Sequence, residues 1–254
     1  MHAQQPRVDA IRELAPKLNG HVVTVAALKG GSGKTTLAIE LAYTLNAVLV
    51  DLDWDRGGAS RQLGHYAERY VRSTLLDALE SSRTPRWKGG PSRPDFVPSS
   101  PDLEANMPEP GYLAEQLRRW AEEWNRPVVV DTHPGAGTGS MAAIMAATVV
   151  VVPTVLARAE LDAAEGMCME LPDYPLLLVP YRVPPVPPGR MVERLAAIAK
   201  TTGHPVGPIV SHYGQHPTRL SRTAVTALPR PSAWAERMAG QICDVAEAVI
   251  SYDR

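Results

Sequence analysis

The chain lacks most features of a secreted or membrane-embedded protein. Cys168 and Cys243 are its only cysteines among 254 residues, too few for a disulfide framework or a cysteine-rich metal site. No apolar run approaches the roughly 18 residues of a membrane-spanning helix. Residues 2–20 also lack the apolar stretch of a signal peptide. We therefore expect a protein of a reducing, cytoplasmic compartment with no membrane partner.

Excess charge is also missing, because the formal net charge is −1. Its distribution is uneven, however. Residues 180–237 contain eight basic and two acidic side chains, a surplus of +6. Such asymmetry favours one basic face on an otherwise acidic protein. An arginine-rich solvated surface without a partner is the alternative.

Apolar residues make up 44% of the chain, enough for the core of one α/β domain. Continuous apolar runs are typical of parallel strands buried on both faces. The pattern predicts a doubly wound, mainly parallel sheet with helices on both faces in one domain, residues 21–254. A short helical extension, residues 1–20, precedes it and either packs on the core or contacts a partner; Pro16 should end or kink its helix. The predicted strands are residues 22–28, 47–53, 127–131, 148–153, 176–180 and 206–210.

Helical spacing of apolar residues predicts the remaining elements. Helices are expected within residues 63–79 and at 112–124, 191–200 and 233–249. Residues 81–110 are rich in proline and therefore irregular, with a short edge strand at 95–100. We interpret residues 86–88 as a surface loop, a partner contact being the alternative.

The most informative stretch is residues 22–36, in which an apolar strand runs into a glycine-rich loop and then a helix. That context is required of a phosphate-binding loop, whose backbone N–H groups and helix N-terminus face bound phosphates. Lys34 can reach the β- and γ-phosphates, and the Thr35 hydroxyl can bind Mg²⁺. The predicted nucleotide-binding residues are Lys29, Gly30, Gly31, Ser32, Gly33, Lys34, Thr35 and Thr36.

The loop departs from the general motif G-x-x-x-x-G-K-[ST], because Leu28 replaces the first glycine and Lys29 follows it. The form KGGxGK[ST] resembles the deviant Walker A motif of the ParA/MinD family of ATPases. By this resemblance, Lys29 would reach the phosphates bound by a partner subunit and, with Lys34, would be catalytic. The resemblance implies ATP and Mg²⁺ as cofactors and a homodimer that forms on ATP.

Two more strands end in aspartate, where parallel sheets bind ligands. The stretch VLVDLDWDRGGAS resembles the family's second signature, D-x-D-P-Q-G-N-A, although Trp54-Asp55-Arg56 replaces Pro-Gln-Gly. By that match Asp53 would position the attacking water, and Asp51 would help to order the loop and the metal site. A simple turn residue at the strand end is the alternative for Asp53.

Asp131 follows an apolar strand, as in a Walker B motif, and would hold Mg²⁺ through a water molecule while accepting from Thr35. The next residues, Thr132-His133-Pro134-Gly135, resemble the family's D-T-P-P-G. An acid–base role for His133 is not needed, because phosphoryl transfer depends mainly on positioning and electrostatics. Tyr181 stands near the family's adenine-reading asparagine and can stack on a base instead.

In resembling proteins the basic C-terminal region contacts DNA phosphates without sequence selection. The DNA-binding candidates here are Arg219, Arg222 and Arg230. The resemblance implies a nucleoid-associated ATPase that partitions a plasmid or chromosome with a ParB-like centromere-binding adaptor. A MinD-like spatial regulator is the alternative, although the final Ser-Tyr-Asp-Arg lacks a basic amphipathic tail. A third possibility is a biosynthetic ligase or a metallochaperone of the same fold. A metallochaperone would need a metal-binding cysteine pair, which this sequence does not have.

Overall fold

The computed structural model describes residues 4–55, 58–70, 73–216 and 223–252. Strands and helices alternate along most of this length. The strands are β1 (Val22–Val25), β2 (Val48–Asp51), β3 (Lys88–Gly90), β4 (Arg93–Val97), β5 (Val128–Asp131), β6 (Val149–Thr154), β7 (Leu176–Val183) and β8 (Val210–Ser211). The helices are α1 (Gln4–Leu14), α2 (Lys34–Thr44), α3 (Ala59–Gln62), α4 (Thr74–Ser81), α5 (Pro110–Trp124), α6 (Thr138–Ala146), α7 (Arg158–Glu170), α8 (Gly189–Thr202) and α9 (Ala233–Ile250).

The strands form one sheet in the order β3-β4-β2-β5-β1-β6-β7-β8. Every neighbouring pair is parallel except β3 with β4, which is antiparallel. Helices α1, α2 and α9 pack on one face, and helices α4 to α8 pack on the other. The predicted doubly wound, mainly parallel α/β fold is confirmed.

The sheet brings the predicted site residues to one edge. Strand β5 lies between β1 and β2, with Asp131 opposite Val25 on one side and opposite Asp51 on the other. The chain order reverses around β1, which makes this edge the topological switch point where α/β sheets bind ligands. The loop after β1 and the two strand-end aspartates therefore share one crevice.

The N-terminal helix is part of the core. Val8 and Ile11 of α1 are buried in the cluster that also contains α9, and Arg7 forms a 2.5 Å ion pair with Asp244. Pro16 lies in a 3₁₀ turn, Ala15–Leu18, directly after α1 ends. Of the two roles predicted for the N-terminal extension, the structure shows packing on the core. The domain boundary at residue 20 stays a prediction.

Some predicted elements were wrong in position or extent. The strand predicted at the edge, β4, is internal because the short strand β3 pairs with its outer side. Strand β3 contains no apolar run from which it could be predicted. The strand predicted at residues 206–210 is reduced to Val210–Ser211 and one bridge at Val206, since Pro205 and Pro208 lack the N–H groups that a ladder needs. Arg86 and Trp87 are exposed, as predicted for a surface loop, although Lys88 begins β3 and the Trp87 ring lies edge-on to Trp124, with centroids 5.6 Å apart.

No helix in the described ranges is both long and apolar enough to cross a membrane.

Candidate functional site

The loop between β1 and α2 has backbone angles that only glycine adopts easily. Gly31 has φ +77° and Gly33 has φ +98°. A Cβ atom on Gly33 would also lie 2.2 Å from the Tyr181 ring, closer than real contacts allow. Helix α2 begins at Lys34, directly after this turn, so its free N–H groups and its positive dipole end face the crevice.

The two lysines of the loop differ in environment. Lys34 is 5% exposed, and its ammonium donates to the Lys29 carbonyl oxygen at 3.2 Å. Burial lowers the pKa of Lys34, and the charges of Asp131 and Asp53 oppose that shift. Lys29 is exposed, and its ammonium has no ion pair or hydrogen bond within the described residues. Lys34 is therefore fixed at the centre of the loop, whereas Lys29 points to solvent.

Asp131 is a buried carboxylate whose oxygens form no well-aligned hydrogen bond within the described residues, although the Thr35 side chain lies close to it. It is 0% exposed, and within the described part of the chain neither oxygen meets a hydrogen-bond partner at acceptable geometry. Burial first, then Asp51 and Asp53, raise its pKa well above the ordinary value, and the Thr35 side chain and Lys34 partly offset the rise. An unpaired buried carboxylate is costly. A hard divalent cation held by oxygen ligands beside Thr35 would remove that cost, so these residues fit Mg²⁺.

Asp51 is equally buried, but its oxygens are used. Oδ1 accepts from the Asp53 N–H at 3.0 Å, and Oδ2 accepts from the Ser60 N–H at 2.6 Å and from the Ser60 hydroxyl. Ser60 Oγ in turn accepts from the Ser99 N–H at 2.8 Å. Burial raises the pKa of Asp51 to about 7. This geometry orders the loop after β2; a metal role for Asp51 stays a prediction.

Asp53 lies at the rim of the same crevice and is 8% exposed. Its Oδ1 accepts from the Asp55 N–H at 3.1 Å, and burial raises its pKa. Next to it the Trp54 ring stacks on the His133 ring, with centroids 4.1 Å apart, and His133 Nε2 lies 3.2 Å from Asp55 Oδ2. The sequence did not predict this contact, although Trp54 and His133 each replace a residue of the family pattern. Arg56 lies outside the described residues.

A cavity of about 890 Å³ runs along the phosphate loop from Asp53 to residues 211–213. Its volume suits a nucleotide-sized ligand. Tyr181 lies on its border but is only 4% exposed, because its ring packs against Gly33. The ring thus supports the loop from behind, and stacking of Tyr181 on a base stays a prediction.

The C-terminal basic segment is only partly described. Arg219 and Arg222 lie outside the described residues, and Arg230 is exposed before α9. The surplus charge is divided, because Arg194 pairs with Asp162 and Glu165 while Arg182 contacts the phosphate loop. After the gap, residues 223–228 are anchored to α2. The Glu40 carboxylate accepts from the N–H groups of Val225 and Thr226 at 2.6 and 2.9 Å.

Comparison with known proteins agrees with this geometry. Residues 20–169 match the AAA_31 family, described as an AAA domain. The chain is 30% identical to chromosome partitioning protein ParA of Myxococcus xanthus over 58% of its own length and 56% of that protein's. It is 37% identical to the chromosome-partitioning ATPase Soj of Thermus thermophilus over 57% of each chain. The chain thus spans little more than half the length of these relatives.

Solved structures share the fold. The ATP complex of Cyanothece McdA(D38A) superposes with a TM-score of 0.74 at 16% identity, covering 92% of this chain and 97% of the other. The cell-division ATPase MinD of Pyrococcus furiosus superposes with a TM-score of 0.69 at 21% identity, covering 91% and 98%. Together with the two-lysine loop, these matches show that the chain belongs to the ParA/MinD family of deviant Walker A ATPases.

Proposed function

We propose that the chain is a Mg²⁺-dependent ATPase that hydrolyses ATP to ADP and phosphate. One observation carries the proposal: the edge where β1 and β5 end combines a buried Lys34, an exposed Lys29 and an unpaired, buried Asp131. A fold that needed no ligand would have no reason to keep a carboxylate and an ammonium in this state.

Each residue then has a physical role. The loop N–H groups of residues 30–36 bind the phosphates, and the Lys34 ammonium turns from the Lys29 carbonyl to phosphate oxygens. Thr35 and, through a water molecule, Asp131 would hold the metal. Bound Mg²⁺ would neutralise charge on the β- and γ-phosphate oxygens. Asp53, held by the Asp55 N–H, orients the attacking water.

Lys29 acts across a homodimer in this proposal. Its exposed ammonium is free to reach phosphates bound by a second copy of the chain, as the family resemblance implies. ATP would then stabilise the dimer, because its phosphates are contacted by lysines of both subunits. Hydrolysis would weaken that contact and release the subunits.

The cellular role that we propose is DNA partition. The relatives ParA and Soj are named as chromosome-partitioning proteins. The ATP-bound dimer would bind DNA phosphates nonspecifically through Arg219, Arg222 and Arg230, and a ParB-like centromere-binding adaptor would stimulate hydrolysis. We accordingly propose a cytoplasmic, nucleoid-associated protein.

A MinD-like spatial regulator that does not act on DNA is the second candidate. It is favoured by the fold shared with MinD over 91% of the chain. Co-sedimentation with DNA at low salt separates the two: we expect binding with ATP and much less with ADP. Absence of binding with either nucleotide would remove the partition role and leave the spatial-regulator role.

The test of the enzyme itself uses both lysines. Lys34→Ala should lose ATP binding and hydrolysis together. Lys29→Ala should keep ATP binding to the monomer but lose hydrolysis and the ATP-dependent dimer, measured by phosphate release and sedimentation. If Lys29→Ala hydrolyses ATP at the parental rate, the role of Lys29 across the dimer is wrong.

A further inference from the structure

Arg182 has a backbone conformation that its residue type and position do not explain. Its φ is +56°, in the left-handed region that residues other than Gly, Asn and Asp rarely adopt. The other described non-glycine residues with positive φ are Asn46, Ser82 and Asn125, each at or just after the C-terminus of a helix, where this conformation is ordinary. Arg182 instead lies inside strand β7.

A β-bulge produces this conformation. Tyr181 pairs with Val210 and Val183 pairs with Ser211, so three residues of β7 oppose two of β8. Tyr181 and Val183 should share a face of the sheet because they are two residues apart. In fact Tyr181 packs in the cluster around α2 and Val183 in the cluster around α7 and α8, on opposite faces. The bulge thus interrupts the regular alternation of side chains between the two faces of the sheet at Arg182.

The side chain of Arg182 is directed to the phosphate loop. Its Nη1 donates to the Gly31 carbonyl oxygen at 3.1 Å, joining residues 151 positions apart. Both residues border the cavity that also contains Lys34, Thr35 and Thr36. The guanidinium is exposed and has no ion pair with any residue in the described ranges.

We propose that Arg182 is a phosphate-binding residue of the nucleotide site, brought to the loop by the bulge. The proposal rests on the proposed function, since it assumes that the cavity takes a nucleoside triphosphate. A guanidinium has five N–H donors, and the contact with Gly31 uses one of them. The remaining donors can bind phosphate oxygens, for which arginine is well shaped. Strained backbone is retained where the surrounding structure or a function requires it.

Arg182→Gly separates strain from charge, because glycine adopts φ +56° freely but has no guanidinium. We expect this variant to be at least as stable to urea as the parent. Its affinity for ATP should fall about 10- to 100-fold, the usual effect of losing a charge-assisted hydrogen bond. Its affinity for adenosine, which has no phosphate, should not change. Arg182→Lys, which keeps the charge without the planar group, should lose less.

The measurements are calorimetric titration of the intact chain with ATP, NMR titration with adenosine, and urea unfolding in the same buffer. Arg190→Ala is the charge-matched control, since Arg190 is exposed at the start of α8. Parental ATP affinity in Arg182→Gly would overturn the proposal, and so would an equal loss in Arg190→Ala or an equal loss for adenosine. Lys34→Ala is the reference for the site: if it also binds ATP normally, ATP does not bind at the phosphate loop and the proposed function of this site is wrong. If Lys34→Ala fails to bind and Arg182→Gly binds normally, only the role of Arg182 is wrong.

Discussion

Two buried carboxylates, Asp131 and Glu40, lie in regions with different roles: Asp131 at the ligand site and Glu40 in the packing of the fold. Glu40 is 2% exposed and accepts from the Val225 N–H, the Thr226 N–H and the Thr226 hydroxyl, at 2.6, 2.9 and 2.7 Å. Asp131 is 0% exposed, and among the described residues its oxygens form no well-aligned hydrogen bond, with only the Thr35 side chain and Lys34 partly offsetting the rise in its pKa. Burial alone therefore does not distinguish structure from function. A satisfied carboxylate fixes the fold, and an unsatisfied one marks where a cation is needed.

One helix connects the two regions. Helix α2 begins at Lys34, in the phosphate loop, and Glu40 lies six residues along it. At about 1.5 Å per residue the two positions are roughly 9 Å apart along the helix axis. Stability and catalysis should nevertheless separate between them, and the variants of Asp131 and Glu40 test this separation directly.

The largest effect is expected for Asp131→Asn. Hydrolysis should fall about 100-fold or more, because the amide cannot replace a carboxylate in holding the metal. Stability should stay within about 1 kcal/mol of the parent or rise, because an unpaired buried charge is removed. Phosphate release and urea unfolding measure the two effects. A large loss of stability would contradict the assignment of Asp131 to a ligand.

Glu40→Gln should have the opposite profile. The amide group has one oxygen acceptor, and its NH₂ would face backbone N–H donors of Val225 or Thr226, leaving donors unsatisfied. We expect a loss of about 2–3 kcal/mol in the free energy of unfolding. Glu115→Gln, on the exposed side of α5, is the matched control and should change stability by less than about 0.5 kcal/mol. Equal stability of both variants would show that the anchoring of residues 223–228 is unimportant.

A smaller effect on stability is expected for alanine substitutions at two glycines of the phosphate loop, Gly31 and Gly33. Gly33→Ala combines a φ of +98° with a collision against Tyr181, whereas Gly31→Ala has a φ of +77° and open space around the new methyl group. We expect a loss of about 1 kcal/mol for Gly31→Ala and about 2–3 kcal/mol for Gly33→Ala. Urea unfolding checks the order. If Gly31→Ala is the more destabilised, the Tyr181 contact does not constrain the loop.

The smallest effect concerns a buried base, His65. It is 9% exposed, and its Nδ1 lies 3.2 Å from the Lys88 ammonium, which can only donate, so the ring must accept as a neutral imidazole. Burial, then Lys88, lowers the pKa of His65 to about 4. The unfolded chain takes up this proton near pH 6.5, so stability is full above that pH and is lost as pH falls towards 4.

With solvent screening, this loss should be on the order of 1 kcal/mol. Urea unfolding between pH 7 and pH 4.5 measures it. His65→Gln, which cannot titrate, should flatten that part of the profile. An unchanged slope in the variant would assign the pH dependence to other groups.

The sequence predicted the region around Asp131 well because its signals are local. A glycine-rich loop with two lysines and strands that end in aspartate each fit within a few residues, and the parallel sheet brings their ends together. Which of the aspartates would be unpaired was not predictable, since Asp51 is satisfied by Ser60 and the Ser99 N–H bonds to Ser60 in turn. Those contacts depend on packing between separate loops.

The region around Glu40 was less predictable because its contacts join distant parts of the chain. A glutamate between Ile39 and Leu41 indicates a buried charge, but not that residues 185 positions later satisfy it. The predicted strand ended at Pro180, so neither the continuation of β7 to Val183 nor the bulge at Arg182 was predicted. The stacking of Trp54 on His133 likewise joins two loops that the sequence shows only as unusual residues.

The most direct test is calorimetric titration of ATP into the parent chain and into Asp131→Asn, each with Mg²⁺ and with EDTA. We predict that Mg²⁺ tightens ATP binding to the parent by about tenfold or more, because Thr35 and Asp131 hold the cation. In Asp131→Asn, ATP should still bind through the loop, but with little dependence on Mg²⁺. The same Mg²⁺ dependence in both proteins, or no ATP binding to the parent, would contradict this prediction.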